Sequence, residues 1–280
     1  MKEKNISVIK NGKNLIIKNV YPISLDQTLD CGQSFRWEKS GDNIWHGIAF
    51  EKSLSVMQNG DELVFFNTAE SDFNNIWRDY FDLDRNYEKI IKSISRNRVL
   101  KNAVKVAGGI RILRQEPWET LCSFIISQNN NIPRIKGIIS RLCENFGKKI
   151  DSGYTFPSAE DLKGISVDDL APLRSGFRAK YIVDAVNKVT ANEVDFDKLY
   201  TCDIDEARAE LMKIKGVGLK VADCTLLFSF GRIEAFPKDV WIKRAMEVLF
   251  DGELPKEAVP YAGIVQQYIF HYARLTKLQI

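Results

Sequence analysis

The N-terminal part of the chain alternates apolar and polar residues with a period of two, and the rest of the chain does not. The alternating runs lie within residues 6–68 and are separated by turn sequences at residues 11–12, 40–43 and 59–61. Alternation places every second side chain on one face of a strand, and Asn-Gly pairs favour tight hairpin turns. The pattern therefore predicts an antiparallel sheet, whose strands are ISVI, NLIIKNV, SFRWEK, IWHGIAF, LSVMQ and LVFFNT.

After Glu70 the apolar residues recur with the spacing of a helix, and Phe73, Ile76, Trp77 and Tyr80 share one helical face. Cap and stop residues predict further helices. One ends at Gly108, one begins at Pro117 and one begins at 176–180. Others run over 132–146, 205–214, 219–230, 239–250 and 256–274. Ser158 and Ser166, each followed by an aspartate three residues later, are typical of two more helix N-termini.

The two patterns together predict an α+β fold. We expect an N-terminal antiparallel β-sheet domain with flanking helices over residues 1–110, packed on a mostly helical body over residues 111–280. The helical body would contain a helix-hairpin-helix motif at about residues 205–230.

Composition limits the classes of protein that this chain can belong to. With 280 residues, 45% of them hydrophobic, it can bury a full core, and no apolar run approaches the roughly 20 residues of a membrane-spanning helix. Its N-terminal residues lack the apolar core of a secretion signal. Five cysteines without metal-ligand spacing favour neither a disulfide framework nor a zinc site. We therefore expect a soluble protein in a reducing, cytoplasmic setting, with no membrane partner and no metal.

Charge is unevenly distributed although the net charge is only +3. Nine Lys or Arg residues and a single acid, Glu88, lie between Arg85 and Arg114. Such a block can follow a line of phosphates, but a solvated helix face is the more frequent explanation.

The stretch from Met212 to Arg244 holds the residues that most favour chemistry. In its KGVGLK segment, Gly216 and Gly218 let the backbone reverse between two short helices. The first amides of the second helix then have no partner within the helix, which suits a phosphate group. A turn of this kind also occurs as an ordinary packing turn, so the segment by itself is weak support for DNA binding.

Lys220 and Asp239 are the candidate reactive residues. Lys220 falls in the first turn of the second helix, where the helix dipole and apolar neighbours disfavour a charged ammonium and favour a nucleophilic amine. Most lysines are exposed side chains without such a role. Asp239 precedes an apolar helix as its N-cap, and a carboxylate held there is ionised and oriented. An amine and a carboxylate of this kind suit cleavage of a glycosidic bond through a covalent intermediate.

Two other segments have ordinary structural explanations when they are read locally. The triplet Asn129-Asn130-Asn131 is typical of a turn between helices whose side chains cap the next helix. Phe177, at the start of a helix, is typical of a hydrophobic staple or a core residue.

Taken together, these segments resemble a known family. GVGLKVADC, followed by the aspartate of FPKDV nineteen residues after the lysine, is similar to the helix-hairpin-helix, Gly/Pro-rich loop and Asp pattern of the base-excision DNA glycosylase superfamily. Within it, the chain resembles the 8-oxoguanine DNA glycosylases. Three further segments match the pattern of this family, and the matches together span nearly the whole chain. The segments are CGQSFRW at 31–37, WETLCSFIISQNNNIPRI at 118–135 and LRSGFRAKYI at 173–182.

The resemblance implies an enzyme that flips 8-oxoguanine out of duplex DNA. Lys220 would attack the sugar C1′ and form a Schiff base that permits β-elimination of the strand, and Asp239 would stabilise the developing cation. In the pocket for the damaged base, the carbonyl of Gly32 would accept the N7 hydrogen that oxidised guanine has and guanine lacks. Cys224 and Phe270 would sandwich the base.

The remaining expected roles also follow from the resemblance. Gln266 would read the Watson–Crick edge of the lesion. On the opposite strand, Asn129 would fill the vacated space, Phe177 would enter the base stack, and Arg134 and Arg178 would bind the unpaired cytosine. The partner implied is duplex DNA containing oxidised guanine.

The resemblance also bears on cofactors, and the chain departs from the family pattern at two positions. No cofactor is implied, because the iron-sulfur cluster of some superfamily members uses four C-terminal cysteines and Cys224 is the last cysteine here. Trp241 stands where many relatives have histidine, and Phe177 stands where many have tyrosine. A complete active site in each chain requires no partner protein, which favours a monomer. The alternatives are a glycosylase of this fold for another damaged base and a non-catalytic DNA-binding protein.

Overall fold

The structure is a computed structural model that describes residues 6–276. Residues 1–5 and 277–280 lie outside the described part. The expectation that the N-terminus carries no secretion signal therefore falls partly on residues that the structure does not describe.

Six strands form one antiparallel sheet in the N-terminal part, as the alternation predicts. They are β1 (Ser7–Asn11), β2 (Asn14–Lys18), β3 (Trp37–Lys39), β4 (Trp45–Ala49), β5 (Lys52–Asn59) and β6 (Glu62–Phe66). Their order in the sheet is β1-β2-β6-β5-β4-β3. In the register of β2 with β6, Leu15 pairs with Phe65 and Ile17 with Leu63, and all four side chains are buried. One face of the sheet therefore faces the core, and the six-stranded prediction is confirmed.

Helices make up most of the remaining chain, so the predicted α+β fold is confirmed. They are α1 (Leu25–Leu29), α2 (Glu70–Asp72), α3 (Arg78–Tyr80), α4 (Tyr87–Ile94), α5 (Arg98–Ala107), α6 (Pro117–Ser127), α7 (Ile132–Phe146), α8 (Ala179–Thr190), α9 (Ile204–Met212), α10 (Leu219–Phe228), α11 (Val240–Phe250) and α12 (Ala262–Leu275). A π-helical turn over Phe73–Trp77 joins α2 to α3. A short ribbon of β7 (Lys149–Ile150) and β8 (Gly153–Tyr154), which the sequence did not predict, follows α7.

Two expectations about helix boundaries were wrong. Ser158 and Asp161 exchange the predicted capping hydrogen bonds, as do Ser166 and Asp169, but each pair closes only a turn. The last helix begins at Ala262 rather than at residue 256. Pro260 explains the difference, because its missing N–H breaks the helical bonding and leaves a 3₁₀ turn over Val259–Tyr261.

Contacts divide the chain into two compact units. The first comprises the residues up to Gly47, Leu54–Arg114 and the chain from Phe236 onward, and the second comprises Ile48–Ser53 and Gln115–Ala235. The C-terminal helices α11 and α12 thus group with most of the sheet. Lys220 belongs to the second unit, whereas Asp239 belongs to the first.

Each unit has its own core. In the first, Trp37 packs with Trp77, Tyr80 and Phe81, and its indole N–H donates to the Tyr80 hydroxyl at 2.7 Å. In the second, α6 is buried on all sides from Thr120 to Ile126 and contacts α7, α8 and α10. Such cores give the loops around them fixed supports.

The basic block between Arg85 and Arg114 is partly internal. Arg85 pairs with Asp82, and Arg114 pairs with Asp79 and Asp82. Arg111 is buried, donates to the carbonyls of Pro22 and Asp82, and burial lowers its pKa. These three cations serve the fold, whereas the other six are exposed on or beside α4 and α5.

No helix within residues 6–276 is long and apolar enough to cross a membrane. All five cysteines are free thiols, and those at 31, 122, 143 and 224 are buried.

Candidate functional site

The hairpin between α9 and α10 has the two glycines in different environments. Gly216 has φ +83°, and a Cβ there would lie 2.5 Å from ring atoms of Tyr181. Gly218 is the N-cap of α10 in an extended conformation, and a Cβ there would meet nothing within 4 Å. Gly216 is therefore required by the protein's own packing, whereas the space at Gly218 is open towards solvent or a ligand.

A buried ion pair joins the two helices of the hairpin. Arg208 on α9 donates to Asp223 on α10 at 2.8 Å, and Asp223 is only 3% exposed. Arg208 also bonds to Asp205 at 2.8 Å, and its pKa is raised by these carboxylates despite its burial. Reading the sequence missed this pair, although an aspartate inside the apolar α10 segment was a signal for it.

Lys220 lies in the first turn of α10, as predicted, and is half-buried. Its ammonium nitrogen is 5.1 Å from the ring centroid of Phe124 on α6. Phe124 in turn stacks on Phe228 at the end of α10, with centroids 5.4 Å apart. Cys224 follows one helical turn after the lysine and is 3% exposed. The lysine thus has an aromatic support instead of extending freely into solvent.

Asp239 is the N-cap of α11, as predicted. Its Oδ1 accepts from the backbone N–H of Ile242 at 2.7 Å, and the residue is half-buried. This bond fixes the orientation of the carboxylate, and its second oxygen can accept from another partner.

The asparagine triplet forms the turn between α6 and α7 that was predicted from its local sequence. Asn131 caps α7 by accepting from the N–H of Arg134 at 3.0 Å, and Asn130 donates to the carbonyl of Ile126. Asn129 is exposed and has φ +46°, a left-handed conformation that asparagine tolerates. Its side chain projects from a turn whose shape its neighbours fix.

Arg178 holds this turn from the side. Its guanidinium donates to the carbonyls of Gln128, Asn129 and Ser175 through four of its five N–H groups. The side chain is 2% exposed. Burial lowers the pKa of Arg178, and the nearby charge of Arg134 lowers it further. Arg134 itself is exposed at the start of α7.

Phe177 is an exposed aromatic ring, which is unusual for a residue of the core or a staple. It is 48% exposed, and the guanidinium carbon of Arg178 lies 4.4 Å from its centroid. The ring of Tyr181 meets it edge-on at 5.9 Å.

Gly32 lies in a loop that buried side-chain bonds hold in place. It has φ +82°, and no described residue among 6–276 donates a hydrogen bond to its carbonyl. The neighbouring Gln33 is 1% exposed and donates to the carbonyls of Thr28 and Arg111 at 2.8 and 2.9 Å, while its Oε1 accepts from the N–H of Leu113. Burial raises the pKa of the adjacent Cys31 thiol to about 12, so that thiol stays protonated.

Gln266 and Phe270 lie one turn apart on α12 in the first unit. Gln266 is 5% exposed, and its Oε1 accepts from the amide of Gln267 at 2.8 Å. Phe270 lines a cavity of about 230 Å³ together with Trp241, Ile242, Ala245, Ala273 and Arg274. Trp241, which is 57% exposed, thus supplies an aromatic wall of this cavity.

The predicted residues fall into two sets. The second unit holds Lys220, Cys224, Asn129, Arg134, Phe177, Arg178, Gly216 and Gly218, and the first holds Gly32, Asp239, Gln266 and Phe270. Contacts within the second unit join Arg178 to Asn129 and Phe177. In the first unit, the shared wall of one cavity joins Phe270 to Trp241.

Comparison with known proteins agrees with this arrangement. Residues 15–121 match the family model of the 8-oxoguanine DNA glycosylase N-terminal domain, and residues 122–257 match that of the HhH-GPD superfamily of base excision DNA repair proteins. The chain is 33% identical to the N-glycosylase/DNA lyase of Saccharomyces cerevisiae over 84% of its own length and 70% of that protein's. The chain belongs to the 8-oxoguanine DNA glycosylase family. This family membership makes it an enzyme of DNA repair.

Two further relatives show how far the likeness extends. The N-glycosylase/DNA lyase OGG1 of Arabidopsis thaliana is 30% identical over 78% of this chain, which spans 64% of the length of that protein. The solved structure of the Clostridium acetobutylicum 8-oxoguanine glycosylase/lyase, in complex with dsDNA containing cytosine opposite to 8-oxoG, is 39% identical. It superposes with a TM-score of 0.90 over 99% of this chain and 100% of that chain.

Proposed function

We propose that this family member flips 8-oxoguanine out of duplex DNA, preferentially opposite cytosine, cleaves its glycosidic bond through a Schiff base on Lys220, and nicks the strand by β-elimination. Lys220 carries the proposal, because a half-buried lysine over the ring of Phe124 begins the second helix of the hairpin. Phosphate anchoring alone does not require a lysine held in this way. This argues against a DNA-binding protein without catalytic activity.

In the proposed reaction, the neutral amine of Lys220 attacks C1′ of the flipped nucleotide. The bond between C1′ and the base breaks, and the base leaves with the bonding electrons. The carboxylate of Asp239 stabilises the positive charge that develops on the sugar, and its cap bond to Ile242 keeps it oriented. The departing base takes a proton from the attacking nitrogen. The C1′–O4′ bond then breaks, O4′ takes a proton from water, and the nitrogen lone pair forms the iminium at C1′. The iminium acidifies the C2′ hydrogen, and loss of that proton expels the 3′ phosphate.

The lesion would be read by groups that are already fixed. The carbonyl of Gly32 would accept the N7 hydrogen of 8-oxoguanine, whereas the lone pair of guanine N7 would be repelled. Gln266 would bind the Watson–Crick edge with an amide that Gln267 holds. Phe270 and Cys224 would contact the two faces of the base. The buried settings of Gln33 and Gln266 support this assignment, because fixed polar groups discriminate more strongly than mobile ones.

On the opposite strand, the two arginines would contribute unequally. Arg134 is exposed and has its guanidinium available, whereas Arg178 already gives four N–H groups to carbonyls of the protein. Arg134 would therefore bind the acceptor edge of cytosine directly, and Arg178 would add its remaining N–H group while holding Asn129. Phe177 would enter the stack where the lesion has left, and Asn129 would fill the vacated space.

The hairpin would hold the strand by its phosphates. Gly218 is open on the side of its missing Cβ, and the first amides of α10 have no side-chain cap. We expect Gly218→Ala to weaken binding to any duplex, damaged or not, with an unchanged free energy of unfolding. An equal effect on folding and binding would contradict this role.

Borohydride trapping tests the reaction. The protein is incubated with a duplex that carries one 8-oxoguanine opposite cytosine, and the imine is reduced to a stable covalent complex. We expect trapping and strand cleavage by the unmodified protein, and neither by Lys220→Gln. Lys215→Gln is the matched control, because Lys215 lies in the same hairpin turn and is exposed. Absence of trapping in the unmodified protein, or equal trapping by Lys220→Gln, would refute the mechanism.

Substrate choice is tested with a panel of duplexes. Another damaged base excised faster than 8-oxoguanine would favour the alternative of a same-fold glycosylase for that base. Replacing cytosine by each other base opposite the lesion tests Arg134, because Arg134→Ala is expected to reduce the preference for cytosine by about ten-fold. An unchanged preference in Arg134→Ala would count against that contact.

A further inference from the structure

Helix α8 contacts the hairpin along one of its faces. The ring of Tyr181 lies against Gly216, where a Cβ would come within 2.5 Å of it. One turn later, the carboxylate of Asp184 accepts from the backbone N–H of Lys215 at 2.6 Å. One turn further, Lys188 donates to the carbonyl of Lys213. Positions 181, 184 and 188 share a helical face, so α8 binds the hairpin turn as a single rigid element.

The same helix begins at the exposed aromatic ring of Phe177. A 3₁₀ turn over Gly176–Arg178 leads directly into α8. The ring of Tyr181 meets that of Phe177 at 5.9 Å and 74°, an edge-to-face contact. Tyr181 is thus in contact with both the hairpin glycine and Phe177.

We propose that Tyr181 is a positioning residue that fixes the wedge Phe177 relative to the phosphate-binding hairpin. This inference rests on the proposed function, which assigns the wedge and the hairpin their roles in DNA binding. Tyr181 would act through Phe177 and not by touching the base or the sugar. Its ring sets the place of Phe177 while the hairpin sets the place of the strand, and the glycine at 216 exists partly to admit that ring.

The physical reason lies in the cost of base extrusion. Flipping a nucleotide costs a few kcal/mol of unstacking, which the enzyme recovers only if the wedge enters the stack at the correct step. An exposed ring with a mobile support loses that advantage, because a misplacement of about 1 Å can cost a hundred-fold in rate. The edge-to-face contact and the three links between α8 and the hairpin supply a rigid support.

The inference predicts a selective defect when the ring is removed. Tyr181→Ala is expected to slow single-turnover excision of 8-oxoguanine by about ten-fold or more, because extrusion is impaired. Cleavage at a preformed abasic site should slow by less than about three-fold, since no base has to be unstacked there. Tyr181→Phe should restore excision, because the ring, not the hydroxyl, makes both contacts. If the alanine variant fails to fold, Tyr181→Leu replaces it in these assays, because leucine removes the aromatic ring and keeps apolar volume at this position.

Tyr200→Ala is the matched control. Tyr200 lies in the same unit, and its ring contacts Phe230 edge-on at 4.7 Å, but no contact joins it to Phe177 in the part of the chain that the structure describes. We expect excision and abasic-site cleavage to change by the same factor in this variant. A selective excision defect in Tyr200→Ala would overturn the inference, because loss of any ring contact would then explain the effect.

A binding assay separates this inference from the chemistry of Lys220. A duplex containing a tetrahydrofuran abasic analogue, with 2-aminopurine beside the opposite base, becomes more fluorescent when the wedge unstacks the probe. We expect the increase with the unmodified protein and with Tyr181→Phe, and a loss of at least about half of it with Tyr181→Ala at saturating protein. If no protein forms a covalent complex, the proposed reaction fails while this readout still decides the role of Tyr181.

Coupling to Gly216 gives a second, independent test. Gly216→Ala places a Cβ against the ring and forces φ +83° on alanine, whereas in the background of Tyr181→Ala only the backbone strain remains. We therefore expect the double variant to be more stable than the sum of the single effects predicts. The proposal would be overturned if the two substitutions changed the free energy of unfolding additively. It would also be overturned if Tyr181→Ala reduced excision, abasic-site cleavage and the 2-aminopurine signal by the same factor.

Discussion

Gln33 is the residue whose replacement most directly tests how the Gly32 loop is held. Its side chain is 1% exposed and bonds to the carbonyls of Thr28 and Arg111 and to the N–H of Leu113. Gln33→Leu fills nearly the same volume and removes these three bonds. The loop would then keep its apolar packing and lose its polar fixation, so the effect on lesion reading can be separated from a cavity effect.

The expected loss of stability follows from the groups left without partners. The carbonyl of Thr28 still accepts from the Cys31 thiol at 3.4 Å, so two buried groups lose their partner, which are the carbonyl of Arg111 and the N–H of Leu113. An unsatisfied buried polar group costs about 1–3 kcal/mol, which gives about 2–6 kcal/mol for Gln33→Leu. The measurement is denaturant unfolding monitored by fluorescence and circular dichroism.

The functional part of this prediction concerns lesion preference. In the Lys220→Gln background, where no chemistry occurs, we expect Gln33→Leu to reduce the ratio of affinities for 8-oxoguanine and guanine duplexes by about ten-fold, the value of one lost hydrogen bond of about 1.4 kcal/mol. Binding to undamaged DNA should remain unchanged. The reason is that a mobile Gly32 carbonyl no longer faces the N7 position with a fixed geometry.

Gln27→Leu is the control. Gln27 donates to the carbonyl of Val106 at 2.8 Å and accepts from the N–H of Gly109 at 3.1 Å, so its loss also leaves two groups without partners. It should lower stability and leave the affinity ratio unchanged. If both variants changed the ratio equally, or if Gln33→Leu cost less than about 0.5 kcal/mol, the reasoning about the loop would be refuted.

Three further predictions concern α12 and its surroundings. Burial lowers the pKa of His271 in the folded protein, so the unfolded chain binds the proton more readily. The free energy of unfolding should therefore fall as the pH drops below about 6.5, and His271→Gln should reduce this dependence on pH. Gln267→Leu should weaken lesion binding more than undamaged binding, because Gln266 loses the bond that orients it. Trp241→Ala should weaken lesion binding by opening the cavity beside Phe270, with a change of unfolding free energy below about 1 kcal/mol because the ring is 57% exposed.

Local patterns in the sequence predicted the elements well. Alternation predicted the six strands, and alternate side chains of β2, β4, β5 and β6 are buried. Helix α7 runs over Ile132–Phe146 as predicted, because Asn131 supplies the cap and Gly147 the end. The helices on either side of the hairpin were also found, with ends shifted by one or two residues. Helix caps and hydrophobic periodicity depend on residues close together in the chain, so they can be recognised in the sequence alone.

Long-range contacts were not predictable in the same way. Arg208 and Asp223 are 15 residues apart, and Gln33 bonds to Leu113 across 80 residues. The packing of Tyr181 on Gly216 also joins two segments that periodicity treats separately. The sequence marked Gly216 as a turn glycine, but the ring that excludes a side chain there became visible only in the fold. The sequence marked Lys220 and Asp239 as candidate reactive residues by their places at two helix starts, and the family resemblance supplied the specific roles expected of them.

The division of site residues between the two units gives the proposed function a further consequence. Gly32, Gln266 and Phe270, which would read the lesion, belong to the first unit, whereas Arg134 and Phe177, which would contact the opposite strand, belong to the second. The loop bonds of Gln33 and the cap turn of Asn131 each lie within one unit, so each unit fixes its own readers. Substitutions that loosen the first should therefore change which lesion is chosen without changing the preference for the opposite base. Substitutions at Arg134 and Phe177 in the second should do the reverse, and a double-mutant cycle between Gln33→Leu and Arg134→Ala should be additive within about 0.5 kcal/mol.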